Sequence, residues 1–324
     1  MFGVFWHWVT KKIAWYRVGI LAMVIVAALL GGFLVAASYV DIGVIDVVNG
    51  KTEELITPDL RAIPPAVSAD AAQMAEKLYG PNGDSYTRFV DQLLATYQVS
   101  RGRDVVVLFN SGGWGWNAAY DSSGWQSIIQ GISGQLGAQG YDTVVINYRR
   151  TSENLWGMVK ELFEVTNNYP FKAEALALRL EFTARHLPGM RIILAGESNG
   201  TVITDRVMYM LKDNENIFSI QTGTPFWHDP VFPERSLVLN YNGQVVDTFA
   251  QGDLGSLLVT TIKGILGLEP PEENPGTVLK FLRAPGHDYG WQYDEVKTRI
   301  QGFIRGKFNG IGETGYSPGE QDSG

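Results

Sequence analysis

Beyond residue 100, short apolar runs alternate with longer stretches in which apolar residues recur at helical spacing. Six of the short runs are rich in β-branched residues, as strands are: 105–109, 143–148, 191–196, 217–223, 236–242 and 277–284. Helical patterns separate or follow them at 125–140, 171–189, 201–213 and 293–308. Strands that are apolar throughout and joined by helices predict an α/β domain, in which a mostly parallel sheet is flanked by helices.

Two further helices are predicted ahead of the first strand, at 71–79 and 85–98. The preceding residues 41–69 contain the Pro-rich sequence ITPDLRAIPPAVSA and are predicted to be a linker. Residues 309–324 are rich in Gly, Ser and acidic residues and are predicted to be disordered. These boundaries leave one domain, residues 70–308.

The most apolar part of the chain lies near its N-terminus. Residues 18–40 run for 23 positions without a charge, which at about 1.5 Å per residue is long enough to cross a hydrocarbon core of about 30 Å. Lys11, Lys12 and Arg17 precede this stretch, and acidic residues follow it. The charge asymmetry predicts a single transmembrane helix, with residues 1–17 in the cytoplasm and the domain on the other side of the membrane.

A cleavable signal peptide is the alternative interpretation. The small residues Val35, Ala36 and Ala37 before Ser38 are of the kind that signal peptidase accepts. The length of the apolar run and the aromatic residues that precede it favour an uncleaved anchor. The domain is extracytoplasmic in both interpretations, membrane-bound in the first and secreted in the second.

Composition argues against several classes of function. Acidic residues outnumber basic ones, 34 to 26, and nucleic acid is not an expected partner because neutralising phosphates needs clustered Lys and Arg. The chain has no cysteine, which excludes disulfides, thiolate nucleophiles and Cys-ligated metal sites. The sequence shows no metal-ligand cluster and no phosphate-binding loop, so no metal and no organic cofactor is expected. The oligomeric state is not predicted.

The sequence Gly196-Glu197-Ser198-Asn199-Gly200 stands between the third predicted strand and the helix that follows it. A G-x-S-x-G pattern at a tight strand-to-helix turn exposes the serine hydroxyl at the carboxyl end of the strand. Glycines let the backbone crowd into such a turn, and the helix N-terminus directs its amides and positive dipole end at the site. Ser198 is therefore the candidate nucleophile. The alternative is a Gly-rich turn in which Ser198 only caps the helix.

A serine hydroxyl needs a base to remove its proton, and the chain has four histidines. His287 follows the last predicted strand, which puts it at the same edge of the sheet as Ser198, and it is the preferred base. His228 is the second choice. His186 lies in or at the end of a helix and His7 precedes the apolar stretch, so neither is expected at the site.

A carboxylate is then needed to hold the tautomer of the imidazole and to stabilise its charged form. Asp247 comes a few residues after the fifth predicted strand, where a loop can reach back to the histidine, and it is the preferred acid. Asp253, farther along the same segment, and Asp229, after the preceding strand, remain alternatives.

Backbone amides are needed to stabilise an oxyanion. The amide of Asn199, directly after the candidate nucleophile, is one expected donor. The Gly-rich loop after the first strand, residues 110–116 with the sequence NSGGWGW, offers the others at Gly113 and Trp114. Trp114 and Trp116 are also candidate substrate-binding residues, although both are equally suited to a core position.

The chain order Ser198, Asp247, His287, together with the turn around the serine and the Gly-rich loop, resembles the α/β-hydrolase superfamily of serine esterases and lipases over residues 100–307. The resemblance implies an eight-stranded sheet, of which the sequence shows six strands, the first two being absent or reduced. It also implies acyl transfer through a covalent serine ester, with water as the usual acceptor. The expected activity is hydrolysis of a small-molecule or lipid carboxylic ester by a membrane-anchored enzyme.

Two features depart from that family's pattern. Many members have His after the first glycine of the turn, where this chain has Glu197. The short connection between the fourth and fifth predicted strands leaves no room for a large lipase lid, and the segment 254–276 is expected to supply a small apolar cover instead. Two other functions remain open: a lipase or acyltransferase that takes acyl groups from the membrane, and an inactive domain that serves as a binding or scaffold protein.

Overall fold

The computed structural model of the protein describes residues 44–49, 59–230, 234–268, 276–278 and 282–308, with the first of these ranges described by its backbone alone. The predicted membrane segment 18–40, the residues 1–17 before it and the predicted tail 309–324 lie outside the described residues. Among the helices that the structure describes, none is both long enough and apolar enough to cross a membrane.

The described part of the chain contains strands and helices in alternation. The strands are β1 Val44–Asn49, β2 Val105–Asn110, β3 Thr143–Arg149, β4 Arg191–Glu197, β5 Ile217–Thr222, β6 Ser236–Leu239, β7 Thr277–Val278 and β8 Leu282–Arg283. The α-helices are α1 Pro65–Tyr79, α2 Asp84–Ser100, α3 Ser123–Ala138, α4 Leu155–Thr166, α5 Pro170–His186, α6 Asn199–Met210, α7 Thr248–Gln251, α8 Leu254–Ile265 and α9 Asp294–Lys307.

Six strands form one sheet in the order β1-β3-β2-β4-β5-β6. Strands β2 to β6 run parallel to one another, whereas β1 runs antiparallel to β3 at the end of the sheet. Val44, the first residue of β1, pairs with Arg149, the last residue of β3. The chain therefore enters the sheet at the carboxyl end of the parallel strands.

Strands β2 to β5 are buried on both faces, whereas β6 alternates buried and partly exposed residues. Alternate side chains of a strand point to opposite sides of the sheet. Val105, Val107 and Phe109 of β2 pack with α3 and α9, whereas Val106 and Leu108 pack with α5 and α6. Helices α1 and α2 form a further layer over α5. The predicted α/β class is confirmed, and burial on both faces explains why the strands are apolar throughout.

Two predicted elements differ from the structure. Residues 44–49, assigned to the linker 41–69, form the antiparallel strand β1 of the sheet. The run 277–284, predicted as the last strand of the sheet, instead contributes β7 and β8 to a separate antiparallel hairpin. This hairpin is held by α8, since the amide of Arg283 donates to the hydroxyl of Thr261 at 2.9 Å. The sheet has six strands among the described residues, where the resemblance implies eight.

Candidate active site

Ser198 lies in the turn between β4 and α6 with a strained backbone. Its φ of +48° and ψ of −122° fall in a region that residues other than glycine rarely adopt. Its amide donates to the carbonyl oxygen of Thr222, the last residue of β5, at 2.9 Å. Its hydroxyl is buried and has no hydrogen-bond partner among the described residues. The turn thus presents a serine at the carboxyl end of the parallel strands.

Two glycines allow this turn to pack closely. A Cβ atom on Gly200 would lie 2.1 Å from the carbonyl oxygen of Asn110, and one on Gly196 would lie 2.8 Å from Oγ1 of Thr204. The side-chain amide of Asn110 also donates to the carbonyl oxygen of Gly200 at 3.2 Å. The two glycines of the G-x-S-x-G pattern are therefore required by close contacts with the end of β2 and with α6.

Asp247 and His287 meet beside this turn. Oδ2 of Asp247 lies 2.8 Å from Nδ1 of His287, and the two side chains are 0% and 6% exposed. A Cβ atom on Gly223 would lie 2.5 Å from Cε1 of His287 and 3.1 Å from Oδ2 of Asp247. Because Gly223 follows Thr222, which accepts the amide of Ser198, the pair lies at the same edge of the sheet as the serine.

Both oxygens of the Asp247 carboxylate are hydrogen-bonded. Oδ1 accepts from the amides of Phe249 and Ala250 at 2.9 and 3.0 Å, and Oδ2 accepts from the hydroxyl of Tyr289 at 2.7 Å as well as from His287. Burial by itself raises the pKa of Asp247, but the hydrogen bond and the charge of His287 act against burial. The net effect of its partners is a pKa below the ordinary value, so the carboxylate is ionised beside the imidazole.

The alternative acids lie elsewhere. Asp253 is exposed and caps α8, where its Oδ1 accepts the amide of Ser256 at 3.0 Å. Asp229 is also exposed. Of the three acids considered from the sequence, the structure therefore brings Asp247 to His287.

The alternative bases have their own carboxylate partners. Nε2 of His228 lies 3.1 Å from Oδ2 of Asp205 in α6, and Nε2 of His186 lies 2.8 Å from Oδ2 of Asp70 in α1. His7 lies outside the described residues. His287 is therefore the histidine that the structure places with Asp247 at the serine turn.

The Gly-rich loop lies against the serine turn. The amide of Gly112 donates to Oε2 of Glu197 at 3.0 Å, and a Cβ atom on Gly112 would lie 2.9 Å from Cβ of Ser198. Burial raises the pKa of Glu197, and the opposing effects of the Gly112 amide and of His287 do not offset it. The residue that departs from the family's pattern thus joins the loop to the turn.

Three amides are available near the serine. Those of Gly113 and Trp114 have no hydrogen-bond acceptor among the described residues. The amide of Asn199 is the first of α6, and the first amides of a helix have no acceptor within it. The Asn199 side chain donates to the carbonyl oxygen of Gly113 at 3.3 Å, which holds the loop next to the helix. The three predicted oxyanion donors therefore lie in adjoining segments.

The rings of Trp114 and Trp116 stack, with centroids 6.1 Å apart and planes 22° apart. Both residues are half-buried, which is at odds with a core position. Their role in binding substrate stays a prediction.

A buried group of charged side chains behind the Gly-rich loop was not predicted. Arg150, directly after β3, donates to Oε1 of Glu161 at 2.8 Å and to the carbonyl oxygen of Gly113 at 3.1 Å. Glu161 also accepts from Lys172 and from Tyr169, each at 2.7 Å. The available signal was a charged residue at the end of a buried strand, in the sequence NYRRT.

An apolar surface bordering the imidazole was predicted only in part. The Phe249 ring lies 5.1 Å from that of His287 between centroids, and the half-exposed Trp227 lies 5.4 Å from Phe249. Helix α8, whose buried Leu257 belongs to the same apolar cluster as Phe249, lies within the expected cover 254–276, of which residues 269–275 are not described. Its exposed apolar side chains are Leu254, Leu258, Val259, Ile262 and Ile265.

No protein-family model and no curated protein matches this sequence. Among solved structures, the chain is similar to Trichoderma reesei cutinase in complex with a C11Y4 phosphonate inhibitor, at 14% identity and a TM-score of 0.37, over 75% of this chain and 94% of the cutinase. Independently of that similarity, the parallel sheet flanked by helices and the serine turn between β4 and α6 are the arrangement implied by the sequence. The described residues thus have an α/β fold with a mostly parallel sheet flanked by helices.

Proposed function

We propose that this protein is a serine hydrolase that cleaves carboxylic esters, with Ser198 as nucleophile, His287 as general base and acid, and Asp247 as the residue that orients the imidazole. The observation that carries the proposal is the 2.8 Å hydrogen bond between Asp247 and His287 at the sheet edge that also holds Ser198. A serine on a strained turn beside an Asp–His pair is the arrangement that activates a hydroxyl for nucleophilic attack.

The first half of the reaction forms an acyl-enzyme. With Nδ1 of His287 donating to Asp247, Nε2 is the nitrogen that accepts the Ser198 proton as the serine oxygen attacks the ester carbonyl carbon. A hydrogen bond between Ser198 and Nε2 therefore has to form as the substrate binds, as is common in hydrolases. The imidazolium then gives its proton to the leaving alkoxide, the alcohol departs, and the acyl group remains on Ser198.

The second half returns the enzyme to its starting state. A water molecule attacks the acyl carbon while Nε2 of His287 takes one of its protons, and that proton returns to Ser198 as the carboxylic acid leaves. In both halves the oxyanion accepts hydrogen bonds from the amides of Gly113, Trp114 and Asn199. These steps use no metal and no organic cofactor.

A lipid ester is the second candidate substrate, for a lipase or acyltransferase on the same residues. The apolar side chains of α8 favour it, since Leu258 and Ile262 are 60% and 47% exposed on the helix whose Leu257 shares a cluster with Phe249, the ring beside His287. The sequence pattern of residues 18–40 supports a membrane anchor, with residues 1–17 cytoplasmic and the hydrolase domain outside. Such an anchor would keep the enzyme at its lipid source.

The test is labelling of the full-length protein in detergent micelles by a fluorophosphonate, which reacts with activated serines. We expect the wild type to be labelled, Ser198→Ala not to be labelled, and His287→Ala to react far more slowly. Circular dichroism of each variant serves as the control for folding. A folded wild type that is not labelled would contradict the proposal and favour the inactive binding or scaffold protein.

A further inference from the structure

We propose that Arg150 is a positioning residue that aims an oxyanion-stabilising amide of the Gly-rich loop by holding the carbonyl groups on the opposite side of that loop. The inference rests on the proposed function, because it deepens the role given to the loop. Arg150 touches neither Ser198 nor His287 through any hydrogen bond that the structure describes, so its effect on the reaction acts through the loop backbone.

Arg150 is fully buried and bonds the loop at alternate residues. Its Nη1 donates to the carbonyl oxygen of Ser111, and its Nη2 donates to that of Gly113 at 3.1 Å. Its own amide donates to the carbonyl oxygen of Gly115 at 2.8 Å. Nη1 also donates to the Asn110 side chain at 3.1 Å. One residue thus fixes three carbonyl groups of the loop.

The direction of the carbonyl groups determines the direction of the amides. In a trans peptide the N–H of the next residue points away from the C=O, and the described residues contain no cis peptide bond. With the Ser111 carbonyl bonded to Arg150, the Gly112 amide points away from Arg150, and it does bond Glu197 next to the serine. By the same geometry, the bonds of Arg150 and of the Asn199 side chain to the Gly113 carbonyl turn the amide of Trp114 away from both side chains. That amide has no acceptor among the described residues and is free for a substrate oxygen.

The cluster around Glu161 holds the guanidinium in this position. Glu161 bonds Nε of Arg150, Nζ of Lys172 and the hydroxyls of Thr151 and Tyr169 at 2.7 to 2.8 Å. Burial by itself raises the pKa of Glu161, but the charges of Arg150 and Lys172 lower it below the ordinary value. The ionised Glu161 bonds one edge of the planar guanidinium, and the other edge bonds the loop. A lysine has one ammonium nitrogen and therefore cannot present two such edges.

Lys172 supplies a matched control within the same cluster. It is as deeply buried as Arg150 and bonds Glu161 and Thr151, but it has no described hydrogen bond to the Gly-rich loop. Removing either cation leaves Glu161 buried with one positive partner fewer, which destabilises the fold. Only the removal of the Arg150 side chain takes a donor from the carbonyl groups of Ser111 and Gly113, while the backbone amide of residue 150 keeps its bond to Gly115.

The experiment compares Arg150→Met, Arg150→Lys and Lys172→Met in full-length protein, with kcat and KM for a short soluble ester measured below each variant's Tm. We expect both methionine variants to melt at lower temperature than the wild type. The kcat of Arg150→Met should fall by about 10- to 100-fold, less than the roughly 10²- to 10³-fold cost of removing an oxyanion donor, because the Trp114 amide is misdirected rather than lost. Lys172→Met should keep kcat within about threefold.

Arg150→Lys separates positioning from stability, and it carries the test should Arg150→Met fail to fold. It retains a positive charge beside Glu161 and should melt above Arg150→Met. Its kcat should still fall by about 10-fold or more, because a single ammonium nitrogen cannot take the three separate positions from which Nε, Nη1 and Nη2 bond Glu161 and the loop. An Arg150→Lys variant with wild-type kcat, or a Lys172→Met variant that loses as much kcat as Arg150→Met, would overturn the inference alone. A wild type without Ser198-dependent ester hydrolysis would overturn the proposed function and this inference with it.

Discussion

The hydroxyl of Tyr289 lies 2.7 Å from the same Asp247 oxygen that accepts the hydrogen bond of His287. With its other oxygen held by the first amides of α7, the carboxylate has donors on both sides and cannot rotate away from the imidazole. A fixed, ionised acceptor at Nδ1 keeps the proton of a neutral imidazole there, which leaves Nε2 as the nitrogen that can accept a proton in the proposed reaction. The buried tyrosine therefore helps to define which nitrogen can act as the base.

Replacing the acid should abolish most of the activity without unfolding the protein. Asp247→Asn keeps an oxygen to cap α7 but presents an N–H₂ group or a weaker acceptor to Nδ1 of His287, which favours the wrong tautomer. We expect kcat for a soluble ester to fall by a factor on the order of 10⁴. Asp253→Asn is the matched control, since Asp253 is exposed and only caps α8, and it should keep the wild-type kcat. A larger loss of kcat in Asp253→Asn than in Asp247→Asn would indicate that Asp253 is the acid.

Glu197→Gln should stabilise the protein at neutral pH. Burial raises the pKa of Glu197 in the folded state, so the folded protein binds more protons than the unfolded chain between the ordinary value of about 4.3 and the raised one. The ionised side chain therefore weakens the fold above its raised pKa, and this effect vanishes as the pH falls to about 4. Glutamine removes the charge and can still accept the Gly112 amide.

Thermal melts across pH check this expectation. The Tm of Glu197→Gln should exceed that of the wild type at about pH 7, and the difference should shrink on acidification towards about pH 4. Glu181→Gln is the control, because Glu181 forms an exposed ion pair with Arg185 and such pairs contribute little. A stabilisation that is the same at every pH, or that grows in acid, would contradict the argument.

Gly200→Ala should disrupt the serine turn, whereas Gly134→Ala should strengthen the fold. The new Cβ atom at residue 200 would lie 2.1 Å from the carbonyl oxygen of Asn110, so we expect a loss of about 2 kcal/mol in the free energy of unfolding, together with most of the activity. Gly134 lies within α3 with nothing within 4 Å of the new atom. There alanine should add about 0.5–1 kcal/mol, and urea unfolding measures both changes. Equal effects at the two sites would show that the close contact is not what matters.

The apolar face of α8 distinguishes a lipid ester from a soluble one. The double variant Leu258→Ser and Ile262→Ser should lower the rate on a vesicle-borne lipid ester by about tenfold, since it removes apolar surface that such a substrate would cover. The rate on a short soluble ester should change little. Tyr209→Ser, at the last turn of α6 and 53% exposed, is the control that should affect neither rate. Equal losses on both substrates would remove the support for a lipid substrate.

The local sequence pattern was sufficient to predict the five parallel strands, and insufficient for β1 and for the run 277–284. The run VVVLF at 105–109 is apolar throughout because α3 and α9 cover one side of β2 and α5 and α6 the other. Strand β1 interrupts its apolar residues with Asp46, and its pairing with β3 joins segments that are far apart in sequence. Helix α4 was not predicted, although its apolar residues recur at helical spacing, and the structure leaves its Leu155 and Trp156 exposed.

The candidate site was likewise predictable from the sequence only in part. Asp247 follows the end of β6, as the sequence indicates, whereas His287 follows the separate hairpin of β7 and β8 rather than a last strand of the sheet. Their roles stay predictions. The bonds of Arg150 depend on which way the peptide groups of the Gly-rich loop turn. The pattern of apolar and polar residues does not reveal the orientation of those peptide groups. Contacts to backbone carbonyl groups are therefore the part of the site that only coordinates could supply.

The antiparallel direction of β1 determines at which end of the sheet the preceding chain is attached. Had β1 run parallel to its neighbour, the chain would join the sheet at the opposite end, about 20 Å away for a strand of six residues. Instead any tether fixed to the chain ahead of Val44 is connected at the end of the sheet that holds Ser198. The length of such a tether limits how far from its fixed point Ser198 can meet a substrate. Each residue inserted before β1 extends that distance by up to about 3.5 Å.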